Sequence, residues 1–474
     1  MRFTPTLVLF WCATLLAGRP NIVLIMCDDM GWADLGCYGS KQNPTPSIDQ
    51  LGKEGVRFTN FLATQAVCTS SRVALLTGCY PNRLGLGGTA LGPNSKIGLS
   101  NDEQTLGTLL QKAGYHTGVV GKWHLGDAPK FLPPSHGFDE SMITPYSNDM
   151  WPRGYGRTDE SRRKMYPELP RIVNGHLMGY TRDWVDMDAL TSSQGLRAVR
   201  FIKDNAGKAQ PFFLYLATSM PHTPLGASSE FKGKHATPYA DTLADLDHAV
   251  GAILRTLREK KVEQETIVIF TSDNGPWLNF GRHAGSAGPF REGKGTTFEG
   301  GVRVPFIVRW PGKVAAGSAH GAPTAHVDLF PTLLELAGAT KPRQVLDGES
   351  LLPVMLGKAP SLKRDAIFQH FPGYLGSGPG LWRTTPVSLI QQGDWKLMEY
   401  LEDGHLELYN LKDDLGETKN LATANPDKAK ELHERLIAWR KETKAPMPTP
   451  NKPGADEAAP AAKKTGKGKK KAGG

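Results

Sequence analysis

The sequence predicts an α/β protein with a large, mostly parallel sheet flanked by helices, plus a smaller C-terminal antiparallel sheet with a helix. Short, continuously apolar runs rich in β-branched and aromatic residues recur along the chain, as expected for buried strands. Helical patterns separate these runs, which favours parallel pairing. After about residue 365, strand-like runs instead follow one another with short turns between them.

The main sheet is predicted from five apolar runs and one clear helix. The runs, which we expect to form buried parallel strands, are residues 21–26, 117–120, 212–217, 266–271 and 304–309. The helix covers residues 239–260, where Leu243, Leu246, Val250, Ile253, Leu254 and Leu257 share one face. The Gly- and Pro-rich connection 129–180 is too long for a turn and is interpreted as a functional loop.

The C-terminal part is predicted as antiparallel strands at residues 387–392, 395–401 and 405–410, with Asp403-Gly404 as a hairpin turn and a helix near 427–444. The predicted domains are a signal peptide at 1–18, a catalytic domain at 19–364, a C-terminal α+β subdomain at 365–446 and a disordered Lys-rich tail at 447–474.

Composition and the N-terminus narrow the class of protein. Hydrophobic residues make up 39% and charged residues 22%, as in an ordinary soluble globular protein. Arg2 and the apolar run 7–17 predict a signal peptide, hence a secreted or periplasmic protein with no transmembrane segment after cleavage. Most of the net charge of +9 comes from seven lysines against two acidic residues in 451–474, so we expect no specific nucleic-acid partner.

The most informative segment is 66–78. Cys68 precedes Arg72 by one helical turn, and an apolar stretch then ends in Thr77-Gly78. This pattern predicts a loop that enters a helix, with the guanidinium of Arg72 over Cys68. A helix N-terminus and a nearby guanidinium both favour a thiolate or a bound anion. A buried packing cysteine is the alternative interpretation.

Polar residues follow the carboxyl ends of the predicted strands, where open α/β sheets bind ligands. Asp28 and Asp29 follow the run 21–26, and Asp273 and Asn274 follow the run 266–271. Asp-Asp and Asp-Asn-Gly are also ordinary loop sequences. Because all four residues offer oxygen ligands, together they favour calcium or magnesium over zinc.

Four cationic or proton-bearing residues occupy similar positions: Lys122, His124, His222 and Lys294. Alone, each would more often be a solvated loop residue. Together they suit a transferring anionic group, which needs fixed positive charge and a proton donor for its leaving oxygen. We expect a lysine that lies near both a metal ion and Arg72 to have a lowered pKa. Ser147 is a weaker candidate, because loop serines are often only turn residues.

These segments resemble the signature blocks of the type I sulfatases, in the order of that family. The blocks are 21–25 before Asp28, the Cys68 segment, 121–124 and 293–301, and the similarity spans roughly residues 21–444. The resemblance is to the arylsulfatase A and N-acetylgalactosamine-6-sulfatase type. Ser70 stands where the family usually has proline, sometimes alanine.

The resemblance implies the alkaline-phosphatase-like fold and hydrolysis of sulfate monoesters, with a sulfated small molecule or glycan as substrate. It implies that the formylglycine-generating enzyme oxidises Cys68 to formylglycine (3-oxoalanine), whose hydrated aldehyde attacks sulfur. It also implies a Ca²⁺ ion, with Mg²⁺ as an alternative. The implied metal ligands are Asp28, Asp29, Asp273, Asn274 and the modified Cys68.

The resemblance implies further roles around the sulfate ester. Arg72 and Lys122 would steady the formylglycine, and His124 would be the base that releases sulfate. The groups that would bind the sulfate are His222, Lys294 and Ser147, of which the first two would also protonate the leaving oxygen.

Two other functions stay open on the sequence. One is a phosphodiesterase or phosphonate hydrolase of the same fold, with Cys68 or its aldehyde as nucleophile; the other is a non-catalytic binder of sulfated glycans, if Ser70 prevents oxidation. The fold alone does not decide between them. In the loops 149–180 and 373–386, Trp151, Arg153, Trp382 and Arg383 either face a sugar or cover the core.

Overall fold

The computed structural model describes residues 18–88, 90–154, 160–376 and 382–450. Residues 1–17, which carry the predicted signal peptide, and residues 451–474 of the Lys-rich tail lie outside these ranges. The strands are β1 Asn21–Cys27, β2 Val56–Leu62, β3 His116–Lys122, β4 Glu140–Thr144, β5 Leu169–Val173, β6 His176–Thr181, β7 Phe212–Ala217, β8 Thr266–Ser272, β9 Arg303–Arg309, β10 Ser318–His320, β11 Thr324–Ala325, β12 Ala366–Phe371, β13 Leu375–Gly376, β14 Trp382–Thr384, β15 Val387–Gln392, β16 Trp395–Tyr400 and β17 Leu406–Asn410. The helices are α1 Pro46–Glu54, α2 Cys68–Thr77, α3 Leu106–Lys112, α4 Glu160–Met165, α5 Trp184–Asp188, α6 Leu190–Asn205, α7 Pro238–Glu259, α8 Glu299–Val302, α9 Leu329–Ala337, α10 Leu352–Met355 and α11 Pro426–Glu442.

The large sheet has a parallel centre. Its order is β10-β2-β9-β8-β1-β7-β3-β4-β5-β6, with β11 also paired to β2. The five strands β8, β1, β7, β3 and β4 run parallel to one another. β7 and β8 are buried along their whole length, and so is β1 after its first residue, because helices cover both faces. Four of the five predicted parallel strands are confirmed.

The fifth prediction has the wrong direction. β9 pairs antiparallel with both β8 and β2. All seven of its residues are buried, so its apolar sequence looks like that of a parallel strand. The chain leaves β8 and enters β9 at the same edge of the sheet, with only the four-residue α8 directly before β9, and a return at the same edge produces antiparallel pairing.

The predicted long loop 129–180 also differs from the structure. It contains β4, β5 and β6, which extend the sheet beyond β3. β4 is parallel to β3, whereas β5 and β6 form an antiparallel hairpin. These strands are short, and β6 is mostly exposed, so they lack the continuous apolar character by which the central strands are identified.

Two apolar cores lie on the two faces of the sheet. Ile22 and Leu24 point toward α2, α3 and α9, whereas Val23 and Ile25 point toward α1, α6 and α7. α7 confirms the predicted helix over 239–260 and begins with Pro238 after Thr237, whose side chain accepts a hydrogen bond from the Ala240 amide. No helix in the described ranges is both long enough and apolar enough to cross a bilayer.

A four-stranded antiparallel sheet, in the order β12-β15-β16-β17, follows the large sheet, and α11 packs against it. This confirms the three predicted strands and the helix. Gly404, in the predicted turn before β17, has a left-handed φ of 75°. The division of the chain at residue 364 stays a prediction.

Buried charges connect this sheet to the larger one. The ammonium of Lys396 in β16 lies 3.0 Å from Glu299 in α8 and 2.8 Å from Glu417, and all three side chains are almost fully buried. Arg303 pairs with Glu299 from the other side. Removing one member would leave a buried charge without its partner, which is expensive.

We predict that Lys396→Met lowers the free energy of unfolding by about 3–5 kcal/mol, measured by urea denaturation. Adding Glu417→Gln should recover part of the loss, because it removes one stranded carboxylate. Lys428→Met, in a more exposed pair with Glu431, is the control and should cost less than about 1 kcal/mol. If the two lysine substitutions lowered the free energy of unfolding equally, the buried charges of Lys396, Glu299 and Glu417 would not have the structural role assigned to them.

Candidate active site

Side chains from three strand ends and from the start of α2 meet at one edge of the large sheet. They are Asp28 and Asp29 after β1, Lys122 at the end of β3, Asp273 and Asn274 after β8, and Cys68 as the first residue of α2. All six are buried. The carboxyl ends of parallel strands share an edge, which is why residues up to 245 positions apart are in contact.

Cys68 lies at the centre of this group. Its thiol donates to Asp28 Oδ1 at 3.5 Å, and the residue is 2% exposed. Burial, together with the nearby Asp273 carboxylate, raises the pKa of the Cys68 thiol far above its ordinary value. The expectation of a thiolate is therefore wrong for the unmodified residue, because burial outweighs the helix N-terminus and the neighbouring cations.

Arg72 holds the carboxylates in place. Its Nη2 lies 2.7 Å from Asp273 Oδ2 and 3.7 Å from Asp28 Oδ1, and its Nη1 donates to the Lys122 carbonyl at 2.9 Å. Arg72 and both carboxylates are fully buried. The helical spacing thus places Arg72 beside the site, with Asp273 as its main partner.

Two lysines face the two aspartates that follow β1. Lys122 Nζ donates to Asp28 Oδ2 at 2.5 Å, and Lys294 Nζ lies 2.7 and 2.9 Å from the two Asp29 oxygens. Burial alone would lower the pKa of each lysine, but the facing aspartate outweighs it, so both pKa values lie above the ordinary range. The lowered pKa expected for a lysine beside a metal stays a prediction, because these raised values reflect contact with the carboxylates alone.

Asn274 has an oxygen without a donor. Its Nδ2 donates to Asp29 Oδ1 at 2.7 Å, whereas its buried Oδ1 has no hydrogen-bond partner. Ligand atoms of Asp28, Asp29, Cys68 and His222 all lie within 4.8 Å of one another. This buried, oxygen-rich group with one unpartnered amide oxygen fits a hard divalent cation. His222, predicted as a sulfate ligand, also belongs to this group.

The two histidines differ in their contacts. Both ring nitrogens of His124 are buried without hydrogen-bond partners, and its backbone φ is 61°. Burial and the neighbouring Lys122 hold the pKa of His124 well below its ordinary value, so the ring is neutral. His222 Nε2 lies 3.5 Å from Asp29 Oδ2 and 3.4 Å from Ser147 Oγ. Ser147 also accepts from Lys122 at 3.2 Å, so this candidate belongs to the group.

Two site residues were missed from the sequence. Burial would raise the pKa of Asp149, but His222 and a hydrogen bond with Ser147 hold that pKa below its ordinary value. His326 is buried next to the site. Its Nε2 lies 2.9 Å from the carbonyl oxygen of Ser272, the residue before Asp273. Asp149 follows the end of β4, so the rule used for the other strands would have found it had β4 been recognised.

The residues predicted to face either a sugar or the core separate into two groups. Trp151 is fully buried and its indole N–H donates to the Thr181 carbonyl, while Arg153 pairs with Glu168. Trp151 therefore belongs to the core, and Arg153 lies over its ring, with Cζ 5.7 Å from the centroid. Arg383, in contrast, donates to the Lys294 carbonyl at 2.8 Å, beside the site. The side chain of Trp382 lies outside the described part of the chain.

Comparison with known proteins identifies the class. The sulfatase family model matches residues 20–339, and the model for the C-terminal part of N-sulphoglucosamine sulphohydrolase matches residues 292–442. Arylsulfatase A from Bos taurus is 41% identical over 382 residues, covering 77% of this chain and 73% of that protein. N-acetylgalactosamine-6-sulfatase from Rattus norvegicus is 40% identical over 353 residues, covering 71% and 66%.

A solved structure agrees over a longer stretch. Ps i-CgsB, in complex with k-i-k-neocarrahexaose, superposes with a TM-score of 0.77 and 31% identity, over 90% of this chain and 94% of that one. The fold is that of an alkaline-phosphatase-like hydrolase. The chain belongs to the sulfatase family and is an enzyme that hydrolyses sulfate esters, as the sequence blocks predict.

Proposed function

We propose that this sulfatase cleaves sulfate monoesters on sugars or polysaccharides, using a formylglycine made from Cys68 and a bound Ca²⁺ ion, with Mg²⁺ as the alternative. The observation that carries the proposal is the position of Cys68. It begins a helix and contacts Asp28 inside a buried group of three carboxylates and three cations, which would suit an anionic ester better than any apolar ligand.

The unmodified thiol is poorly suited to be the nucleophile, because its raised pKa keeps it protonated. Formylglycine, supplied by the formylglycine-generating enzyme, would provide a hydroxyl nucleophile as its hydrated aldehyde. Since Cys68 is 2% exposed, the oxidation has to precede folding.

Ser70 has a structural use in place of the usual proline. Its hydroxyl donates to the Leu86 carbonyl at 2.6 Å and accepts from the Gly88 amide at 3.0 Å. As the third residue of α2, Ser70 has an amide without an intrahelical acceptor, so the helix accommodates either residue. Neither hydrogen bond involves Cys68 or Arg72, so we expect the exchange to change only the packing against residues 86–88.

The metal would be held by Asp28, Asp29, Asp273, Asn274 and residue 68. When bound, it supplies charge neutralisation on the ester oxygens and a lower pKa for a coordinated hydroxyl. The unpartnered Asn274 Oδ1 supports this assignment. Asn274 follows Asp273 at a position where a histidine would help to hold a second metal ion. An amide there favours a single ion, and hence a sulfate substrate over a phosphate monoester.

The remaining residues would handle charge and protons. His124 is neutral and has two unpartnered ring nitrogens, so it can accept the proton whose removal expels sulfate. Arg72 and Lys122 fix residue 68 and its surroundings. His222 and Lys294 would bind the sulfate and protonate the leaving oxygen, with Ser147 as a further contact.

Sugars are proposed as substrates because of two similar proteins. One is named as an N-acetylgalactosamine-6-sulfatase, and the other, Ps i-CgsB, has a structure in complex with k-i-k-neocarrahexaose. Secretion or a periplasmic location is proposed from the charged and apolar N-terminal residues. A glycan outside the cytoplasm is the substrate class that fits both points.

We predict that Cys68→Ala abolishes turnover of p-nitrophenyl sulfate while its far-UV circular dichroism stays that of the wild type. The substitution removes the only precursor of the proposed nucleophile and deletes one buried sulfur atom. Assaying an aryl phosphodiester in parallel tests the alternative activity. Aryl sulfate hydrolysis at the wild-type rate by Cys68→Ala, or a wild-type preference for the phosphodiester, would refute the proposal.

We predict that Lys294→Met lowers kcat/KM for alkyl and sugar sulfates about 10²–10⁴-fold, and that for activated aryl sulfates much less. A good leaving group needs no proton donor, whereas a sugar hydroxyl does. The measurement is a plot of log kcat/KM against leaving-group pKa. Lys313→Met, outside the site, is the control. An unchanged slope would count against Lys294 as the acid.

We predict that Ca²⁺ raises the melting temperature of the chelator-treated protein. At a Ca²⁺ concentration a hundred times its dissociation constant, the free energy of unfolding should rise by about 2.7 kcal/mol. Asn274→Ala should weaken this response, because it removes one oxygen ligand. Asn425→Ala, at the start of α11, should respond as the wild type does. A melting temperature that neither Ca²⁺ nor Mg²⁺ changes would contradict the metal site.

A further inference from the structure

An aromatic wall adjoins the proposed sulfate-binding residues. The ring centroids of Trp277 and His222 are 5.6 Å apart, with the rings at 67°. Lys294 Nζ lies 4.9 Å from the centroid of the same indole. Trp277 follows the Asp273-Asn274 turn and is half-buried, so it lies between the buried charges and the outside.

Arg383 continues this wall. Its Cζ lies 4.9 Å from the Trp277 centroid, and its Nη1 donates to the Lys294 carbonyl. Gly295 packs closely against this side chain: a Cβ there would lie 2.5 Å from Leu375 Cδ2 and 3.2 Å from Arg383 Cζ. Arg383 belongs to β14, so the C-terminal part of the chain supplies this contact.

These contacts fix the orientation of a half-buried cation. Stacking on an indole and a hydrogen bond to a backbone carbonyl both limit the rotamers of the guanidinium. A guanidinium carries five N–H donors in a planar array, so it can bind an oxyanion while it keeps its bond to the Lys294 carbonyl. Such binding loses little side-chain entropy, because the side chain is already ordered.

We infer that Arg383 is a specificity-determining residue that binds a second anionic group of the substrate, a sulfate or a carboxylate next to the ester that is cleaved. This inference rests on the proposed function, since Lys294 and His222 place the reacting sulfate beside the wall. The substrate class is therefore a glycan with at least two neighbouring anionic groups, and Trp277 would contact the sugar between them.

The test compares three ligands by calorimetry on the Cys68→Ala protein, which does not consume them. N-acetylgalactosamine 6-sulfate carries one anion, N-acetylgalactosamine 4,6-disulfate adds a sulfate, and the unsaturated chondroitin 6-sulfate disaccharide adds a carboxylate. We expect at least one two-anion ligand to bind ten-fold or more tightly than the one-anion ligand. The one that does identifies the second group as sulfate or carboxylate.

Adding Arg383→Gln should reduce this ratio to about one, whereas Arg383→Lys should keep part of it, because the charge stays but the stacked plane is lost. Arg435→Gln, whose side chain pairs with Asp365 away from the site, should keep the full ratio. Equal binding of all three ligands, no binding of any, or an unchanged ratio in Arg383→Gln would overturn the inference. Failure of the proposed function shows separately, as absent aryl sulfate turnover by the wild type.

Discussion

The site depends on a balance of buried charges. Asp28, Asp29 and Asp273 would each be expensive to bury alone, and each contacts a cation: Lys122, Lys294 and Arg72, respectively. The sheet holds the aspartates and Lys122, while α2 brings Cys68 and Arg72 to the same edge. A buried, preorganised charge group does not have to reorder solvent when a sulfate ester reacts.

This balance also explains how a metal and a substrate would share the site. The carboxylates that contact the lysines are the same ones that would bind Ca²⁺, and the oxygen of Asn274 has no donor at all. A divalent cation on the carboxylates would leave the lysine ammonium groups with an excess of positive charge, which an anionic ester would neutralise. Metal and substrate binding should therefore favour each other.

The sequence predicts much of the site, because the strand ends of a parallel sheet converge at one edge. The polar residues that follow each strand can therefore be identified from their position in the chain. Asp28, Lys122 and Asp273 were found in this way. The direction of β9 was not, since a strand buried on both faces has the same composition in either direction. Asp149 was missed because short, half-exposed β4 carries little apolar signal. The raised pKa values of Cys68 and the lysines depend on burial and contact distances, which no motif encodes.

Everything specific to the proposed chemistry requires that residue 68 no longer be a cysteine in the active enzyme. The direct measurement is mass spectrometry of the peptide spanning residues 67–72, from protein made with a formylglycine-generating enzyme and from protein made without one. The proposal predicts a peptide about 18 Da lighter than the cysteine form in the first sample only. The fraction of this lighter peptide should rise with the specific activity of the preparation. Full aryl sulfatase activity in protein whose Cys68 is entirely an unmodified thiol would contradict it.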